Sequence, residues 1–381
     1  MDIINELILS IKQNQAELMT SYCIVNGAII SLKEIQDMGY KEFSYRAKCN
    51  MPMKLYKYFP NLSTEKDGEK VNYSIQALEN NTVFMQTPSE FDDVYDSDIN
   101  LDFNEYEYLR LSEYCNRCQV DISNFSTSKE IGNALIRALL QSFEATKDFH
   151  AAFKKQPTSE MEKLSNELFI SRLRLELSNK ETYFGEPLSR IIRQEFQEYS
   201  LDLKNTFRIS CFTTTPYSQL MWGGAYANCH KGFCAEYSVL PHEECYHDIY
   251  YNLFPLIYCK LRPNMTQRIV KMKDTEITKE GLWDIYFNGA LRKSIDWVFQ
   301  NEWRLLLPMR GKDTLDYNIK FYPITKIFLG NRMSKDDRIK IIDICKKRNI
   351  PYTGVKRNPN IFEMQDCETK CEDCIGFNNN L

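Results

Sequence analysis

Apolar residues recur at three-to-four spacing at the start of the chain. Ile3, Ile4, Leu7, Ile8, Ile11 and Leu18 make one stripe of an amphipathic helix over 3–19. From Met53 the texture changes. LYKYF (55–59) is short and aromatic, a helix is expected near 71–80, and TVFMQTP (82–88) reads as a strand closed by Pro88. Segments such as SKEIGNALIRALLQSFEAT and SEMEKLSNELFISRLRLELSN keep helical spacing, with charges between and almost no Pro or Gly, so a helical insertion is expected at about 104–205. Strand texture returns at FRISCF (207–212), GFCAEYSV (232–239) and DIYYNLFPLIYC (248–259), the last interrupted or placed at an edge by Pro255. A helix over 280–299, striped by Trp283, Phe287, Ala290, Ser294 and Trp297, is expected to feed the strand EWRLLLP (302–308). ITKIFLG (324–330) then reads as a strand and KDDRIKIIDICKKRN (335–349) as a helix.

Strands mix with helices without regular alternation. The expected class is α+β, a mixed, largely antiparallel sheet with flanking helices and a large helical insertion. The expected organisation is an N-terminal helical lead (1–50), a main domain (51–365) carrying the insertion, and a Cys-rich acidic tail (366–381).

Composition narrows the picture. At 381 residues, 43% hydrophobic and 26% charged, the chain can bury a sizeable core and is not low-complexity. Lys plus Arg is 48 against 52 Asp plus Glu, so no bulk positive charge is available for sequence-independent nucleic-acid binding. No apolar run approaches the ~18 residues of a membrane span, and the first residues lack the pattern of a secretory signal. The expectation is a cytoplasmic protein with reduced thiols: thirteen cysteines, an odd count, stand against four histidines.

The most informative stretch is SQLMWGGAYANCHKGFCAEYSV (218–239). Adjacent Gly223 and Gly224 each weaken a helix by roughly 1 kcal/mol relative to Ala, and they suit either tight packing on the sheet or close approach of a ligand. In the strand that follows, Phe233, Ala235, Tyr237 and Val239 share one face and Cys234, Glu236 and Ser238 the other. LYKYF, TVFMQTPSEFDDVYD, ISCFTTT with LMWGGAYANCHKGFCAEY, NEWRLLL and ITKIFLGNRMS occur in this order. Together these blocks resemble the bacterial family catalogued as domain of unknown function 2971, over roughly 53–365. The resemblance implies a bacterial or phage-related protein with that family's common fold. It assigns no activity. Where the family commonly has an Asn-Asp-Pro type of turn, this chain has Phe91-Asp92-Asp93-Val94.

On the EWRLLLP strand Glu302 and Arg304 lie side by side, opposite the core face of Trp303, Leu305 and Leu307. Such a pair is either structural or a carboxylate projecting into a cleft with Arg304 orienting it or an anionic substrate. The order of parts is similar to that of ADP-ribosyltransferases, which break the nicotinamide–ribose bond through an oxocarbenium-like transition state. In that reading Glu302, Tyr226 and Arg304 are catalytic. Tyr56, Lys57, Tyr58, Trp222, Gly223, Gly224 and His230 bind NAD as substrate, and the protein is an NAD-cleaving enzyme of a toxin or phage-defence system. A non-catalytic sensor or partner-binding module, using the helical insertion to meet a protein partner, is the alternative. A metal-dependent nuclease built on Asp92, Asp93, Asp96, Glu236 and Glu302 is a third reading, since hard oxygen ligands suit Mg²⁺.

Cysteines supply one further candidate. Cys115 with Cys118, and Cys367, Cys371 and Cys374, have spacings seen in zinc ligands, although acidic neighbours in the tail disfavour thiolates. His242 and His247 flank Cys245 in what reads as a surface loop. No P-loop, G-x-G-x-x-G or nucleophile-elbow motif is present.

Overall fold

The computed structural model describes residues 20–146, 186–273, 279–308 and 317–367. They form two units. The first takes the described residues of Met1–Asp98, Lys204–Arg262 and Tyr286–Leu381, and the second those of Ile99–Leu203 and Pro263–Ile285. Every described strand belongs to the first unit, and the second is helical.

The main sheet has eight strands: β3 (Lys54–Phe59), β7 (Phe207–Thr213), β8 (Phe233–Ser238), β9 (Leu253–Pro255), β12 (Glu302–Pro308), β14 (Ile324–Leu329), β15 (Tyr352–Arg357) and β16 (Met364–Asp366). Their order is β16-β15-β14-β8-β3-β7-β12-β9, antiparallel throughout except for β14 with β15. A second, four-stranded sheet has the order β11-β10-β1-β2, from β1 (Tyr22–Val25), β2 (Ala28–Ser31), β10 (Ile257–Cys259) and β11 (Arg292–Ser294). Two ribbons complete the set: β4 (Thr64–Lys66) with β5 (Glu69–Val71), and β6 (Thr82–Met85) with β13 (Tyr317–Lys320). The fold is α+β with mixed, largely antiparallel sheets, as the irregular strand and helix pattern predicts.

Alternation decides which strand residues enter the core. On one face of the main sheet Leu55, Phe59, Phe212, Phe233, Ala235, Tyr237, Trp303, Leu305 and Ile327 are buried, packed with residues of the helices Tyr73–Asn80 and Lys335–Lys347. Both helices are capped by their sequences: Asn72 Oδ1 accepts from Ile75 N–H and Ser334 Oγ from Asp337 N–H. Asp336 and Asp337 in the first turn and Lys346 and Lys347 in the last complement the dipole of the second helix.

Three expectations are corrected. Residues 22–31 of the helical lead form the β1–β2 hairpin, because Asn26 and Gly27, both at positive φ, make a tight turn between two apolar runs. The helix over 280–299 breaks into a helix (Lys279–Ile285), a π-turn (Tyr286–Ala290), β11 and a 3₁₀ turn (Ile295–Gln300). Parallel pairing of Arg292 with Ile257 and Ser294 with Cys259 outweighs the helical stripe there. The start of the stretch 248–259 belongs to a helix, His247–Tyr251, and two short strands follow with Leu256 N–H turned to Glu302 O.

In the second unit, Tyr106, Leu111, Cys115, Ile131, Leu135, Leu188 and Ile192 form the core between helices Phe103–Arg117, Ser128–Thr146 and Glu186–Lys204. This unit adds residues 263–285 to the stretch read as an insertion. The stripe over 3–19 and the segment 159–179 lie outside the described residues.

Candidate functional site

The second face of the main sheet carries the polar side chains. Register places Lys326, Glu236, Tyr56, Thr213 and Glu302 in one row across β14, β8, β3, β7 and β12. Opposed residues in antiparallel ladders share a face, and stepping two residues along adds Phe328, Cys234, Tyr58, Cys211 and Arg304. Tyr56, Tyr58, Glu302 and Arg304 therefore stand on the same side of the sheet. Lys57 does not. It lies on the core face, where its ammonium donates to Ser210 Oγ at 3.2 Å and Cys211 O at 3.0 Å and sits 5.2 Å from the Phe212 ring centre. Burial holds it below the usual lysine range.

At the β12 end the row closes into a buried cluster of four charges. Arg304 Nε donates to Glu302 Oε1 at 2.6 Å, and its Nη2 donates to Asp96 Oδ2 at 2.7 Å. Its Nη1 meets Asp96 Oδ1 at 2.7 Å and also Ser97 Oγ and Ala290 O. Lys293 Nζ bridges Asp96 Oδ2 at 3.0 Å and Glu302 Oε2 at 3.1 Å. Asp96, Glu302 and Arg304 are 3%, 5% and 0% exposed, so water replaces none of these partners readily. Burial alone would raise both carboxyl groups, but Arg304 and Lys293 overcome it and hold both below the usual carboxylate range. Two cations balance two anions, which is what makes such burial tolerable.

A hydrogen-bonded path leads from the cluster toward the surface. Lys293 donates to Gln300 Oε1 at 2.8 Å, and Gln300 Nε2 donates to the Tyr226 hydroxyl. Tyr226 is 38% exposed.

Tyr226 belongs to a loop whose backbone is unusual. Asn228, Cys229 and His230 are three successive left-handed residues, with φ of 48°, 52° and 67°. Each such residue costs roughly 1–2 kcal/mol, and runs of this kind persist only where surrounding contacts impose them. Here Cys229 N–H donates to Gly224 O, His230 N–H to Trp222 O and Gly232 N–H to Ala227 O, while Arg332 N–H meets His230 O. A Cβ on Gly232 would lie 2.0 Å from Phe59 O, and one on Gly330 would lie 2.1 Å from His230 O. The result is a His230 ring stacked on Trp222, centroids 6.2 Å apart and 11° from parallel. Trp222 is fully buried, donates to Pro216 O at 2.7 Å and meets Tyr58 edge-on. His230 Nδ1 is buried without a hydrogen-bond partner, and burial together with Arg332 keeps the imidazole below its usual range.

The remaining candidates separate from this centre. The Tyr56 hydroxyl donates to Glu236 Oε2 at 3.1 Å, and Glu236 is also held by Lys54 at 2.9 Å and Thr325 at 2.7 Å. Gly223 leaves space, its would-be Cβ 4.0 Å from His230 Nε2, whereas Gly224 is tight against Leu220 O at 3.0 Å. Of the acidic turn only Asp96 joins Glu302; Asp92 is exposed, and Asp93 accepts from Tyr95 N–H. Among the described residues no three His, Cys, Asp or Glu side chains gather as metal ligands. Cys115 lines the helical core, and Cys371 and Cys374 lie outside the described residues. His242, Cys245 and His247 are exposed. Lys293 has no sequence signal because the spacing predicts a helix over 280–299, and Gln300, just beyond that stretch, has none either. Gly232 and Gly330 carry no sequence signal beyond being glycines beside strands.

No family model matches the chain, and no curated protein and no solved structure matches it significantly. No described helix is long and apolar enough to cross a membrane.

Proposed function

We propose that the protein binds a nucleotide-type anionic ligand on the loop formed by residues 222–232 and acts as a sensor or partner-binding module. One observation carries the choice between module and enzyme. Both oxygens of Glu302 are engaged, one by Arg304 and one by Lys293, inside a cluster with almost no exposure. A carboxylate meant to meet ribose must be reachable from a cleft, and Glu302 is 5% exposed with a cation on each oxygen.

The loop, by contrast, offers recognition chemistry. The Tyr226 ring is partly open, His230 is partly exposed, Lys231 is exposed, and Arg332 acts electrostatically on the imidazole. A planar base can stack on such rings, and phosphate oxygens can meet the cations. The resemblance to the domain of unknown function 2971 family would set this module in a bacterial or phage-related context, with the helical unit as the surface for a protein partner.

NAD cleavage is kept as a second reading because hydrogen bonds join Tyr226 to Glu302 through Gln300 and Lys293. For catalysis, Glu302 would have to exchange Lys293 for a ribose hydroxyl.

Calorimetry with NAD, ADP-ribose and ATP, with nicotinamide release followed in the same samples, separates the readings. The module reading expects saturable binding without turnover, lost in Tyr226→Ala. Nicotinamide release abolished by Glu302→Gln at unchanged melting temperature would establish the enzyme. Absence of binding by all three ligands at millimolar concentration would sink both.

A further inference from the structure

Away from that loop, the four-stranded sheet buries a cation with no acid paired to it among the described residues. Arg292 on β11 is 5% exposed, and its Nε and Nη2 have no hydrogen-bond partner. Its Nη1 lies 3.9 Å from the sulfur of Cys259 on β10, and its guanidinium carbon lies 5.3 Å from the Phe287 ring centre. An unpaired buried guanidinium is expensive, so the group it faces matters.

Register brings a second thiol to the same place. Ile24 pairs with Tyr258 and Val25 with Ile257 in the antiparallel β1–β10 ladder. One step further along both strands sets Cys23 opposite Cys259. Ile257 pairs with Arg292 in the parallel β10–β11 ladder, so Cys23, Cys259 and Arg292 share one face. Cys23 is 0% and Cys259 5% exposed, both are free thiols, and Cys259 acts electrostatically on Cys23. Their sulfurs currently donate to Ile30 O and Leu261 O.

We propose that Cys23 and Cys259 are a redox-responsive pair that closes to a cross-strand disulfide, with Arg292 stabilising the sulfur anions formed during exchange. The oxidant is a small-molecule disulfide of the glutathione type. The Cys259 thiolate attacks one sulfur of that disulfide, forming a mixed disulfide and releasing one thiolate. The Cys23 thiolate then attacks Cys259 Sγ, forming the protein disulfide and releasing the second. Two protein thiols lose two electrons and two protons, and the reagent takes them up as two thiols.

The geometry is close to what the bond requires. Opposed Cβ atoms in an antiparallel pair stand about 4.5–5.5 Å apart, and a disulfide needs about 3.5–4.5 Å, so closure asks for a strand adjustment of roughly 1 Å. Burial pushes Cys23 up to about 11, and Arg292 pulls both thiols back toward ionisation. Exchange is therefore slow and accelerates with pH. The link would tie the N-terminal hairpin to the centre of its sheet, stabilising it chiefly by restricting the unfolded chain. This pair stands apart from the ligand reading, since none of the three residues belongs to the 222–232 loop.

The test uses the full chain, reduced and then incubated with oxidised glutathione at pH 8 without denaturant. Free thiols are blocked before digestion, and the peptides are mapped by mass. The expected result is a Cys23–Cys259 linked peptide, a thermal midpoint raised by several degrees, and reversal of both by dithiothreitol. Cys23→Ser should stop at a mixed disulfide on Cys259, and Arg292→Met should slow linkage several-fold. Exposed Cys49, Cys229 and Cys245 report that the reagent is active. If they react fully while Cys23 and Cys259 are recovered unlinked, the proposal is overturned, whatever the variants do.

Discussion

Glu302 and Tyr56 flank the same residue, Thr213, from the two strands on either side of it, yet their functional groups turn to different partners. The Tyr56 hydroxyl goes to Glu236, which Lys54 and Thr325 also hold, while the Glu302 carboxylate goes to Arg304 and Lys293. One polar row across the sheet thus contains two separately neutralised acids. Thr213 between them is almost fully buried. Such an arrangement favours holding a surface in place over releasing an acid for chemistry.

Removing one member of the four-charge cluster leaves an uncompensated buried charge. Arg304→Met leaves Asp96 and Glu302 sharing Lys293 alone, and such losses cost about 3–5 kcal/mol. Urea titration of the variant should show an unchanged slope and a midpoint lowered so that slope times shift equals that loss. A loss below about 1 kcal/mol, the range typical of exposed pairs, would show that the cluster is not a structural element and would reopen a catalytic role for Glu302.

Acid should find the same cluster. Asp96 and Glu302 titrate below their unfolded values in the folded chain, burial notwithstanding, because Arg304 and Lys293 favour their charged forms. For groups depressed in this way, the stability they contribute is present above the unfolded values, near 4. It is lost as pH falls through the folded ones. Unfolding free energy should therefore decline as pH is lowered below about 5. In Asp96→Asn with Glu302→Gln the decline should be visibly shallower, and equal slopes in the two proteins would contradict the assignment.

The parts of this site that sequence could reveal are those governed by strand alternation. Glu302 beside Arg304, and Glu236 beside Cys234, fall on one face of any extended segment with these residues, and the structure keeps them there. Asp96 and Lys293 were harder. Asp96 sits in a stretch that composition marks as a solvated acidic turn, and its burial comes from contacts with residues some two hundred positions away. Lys293 occupies a stretch whose helical stripe is locally convincing, and only pairing with β10 makes it a strand residue pointing at Glu302. Lys57 reads like its aromatic neighbours but falls on the core face by one-residue parity. The left-handed run at Asn228–His230 is invisible to periodicity, because contacts with the 330–332 turn impose it.

Lys48 offers the clearest pH signature above neutrality. Its ammonium donates to Tyr250 O and Leu253 O and lies 4.3 Å from the Phe254 ring centre. Burial pushes its pKa down to about 7, whereas an unfolded lysine titrates near 10.4. Between those values the unfolded chain holds a proton that the folded chain has released, so stability rises with pH across that window. Lys57, also depressed by burial, contributes in the same direction and must be held constant. Buried thiols such as Cys115, Cys211 and Cys345, which burial raises, act the other way as pH nears 9. The comparison is therefore between pH 6.5 and pH 8, where denaturant unfolding should show wild-type protein gaining stability at the higher pH. Lys48→Met should gain distinctly less over the same interval. If both proteins gain equally, the two carbonyls and the ring are holding Lys48 charged throughout, and the amine plays no part in the pH response.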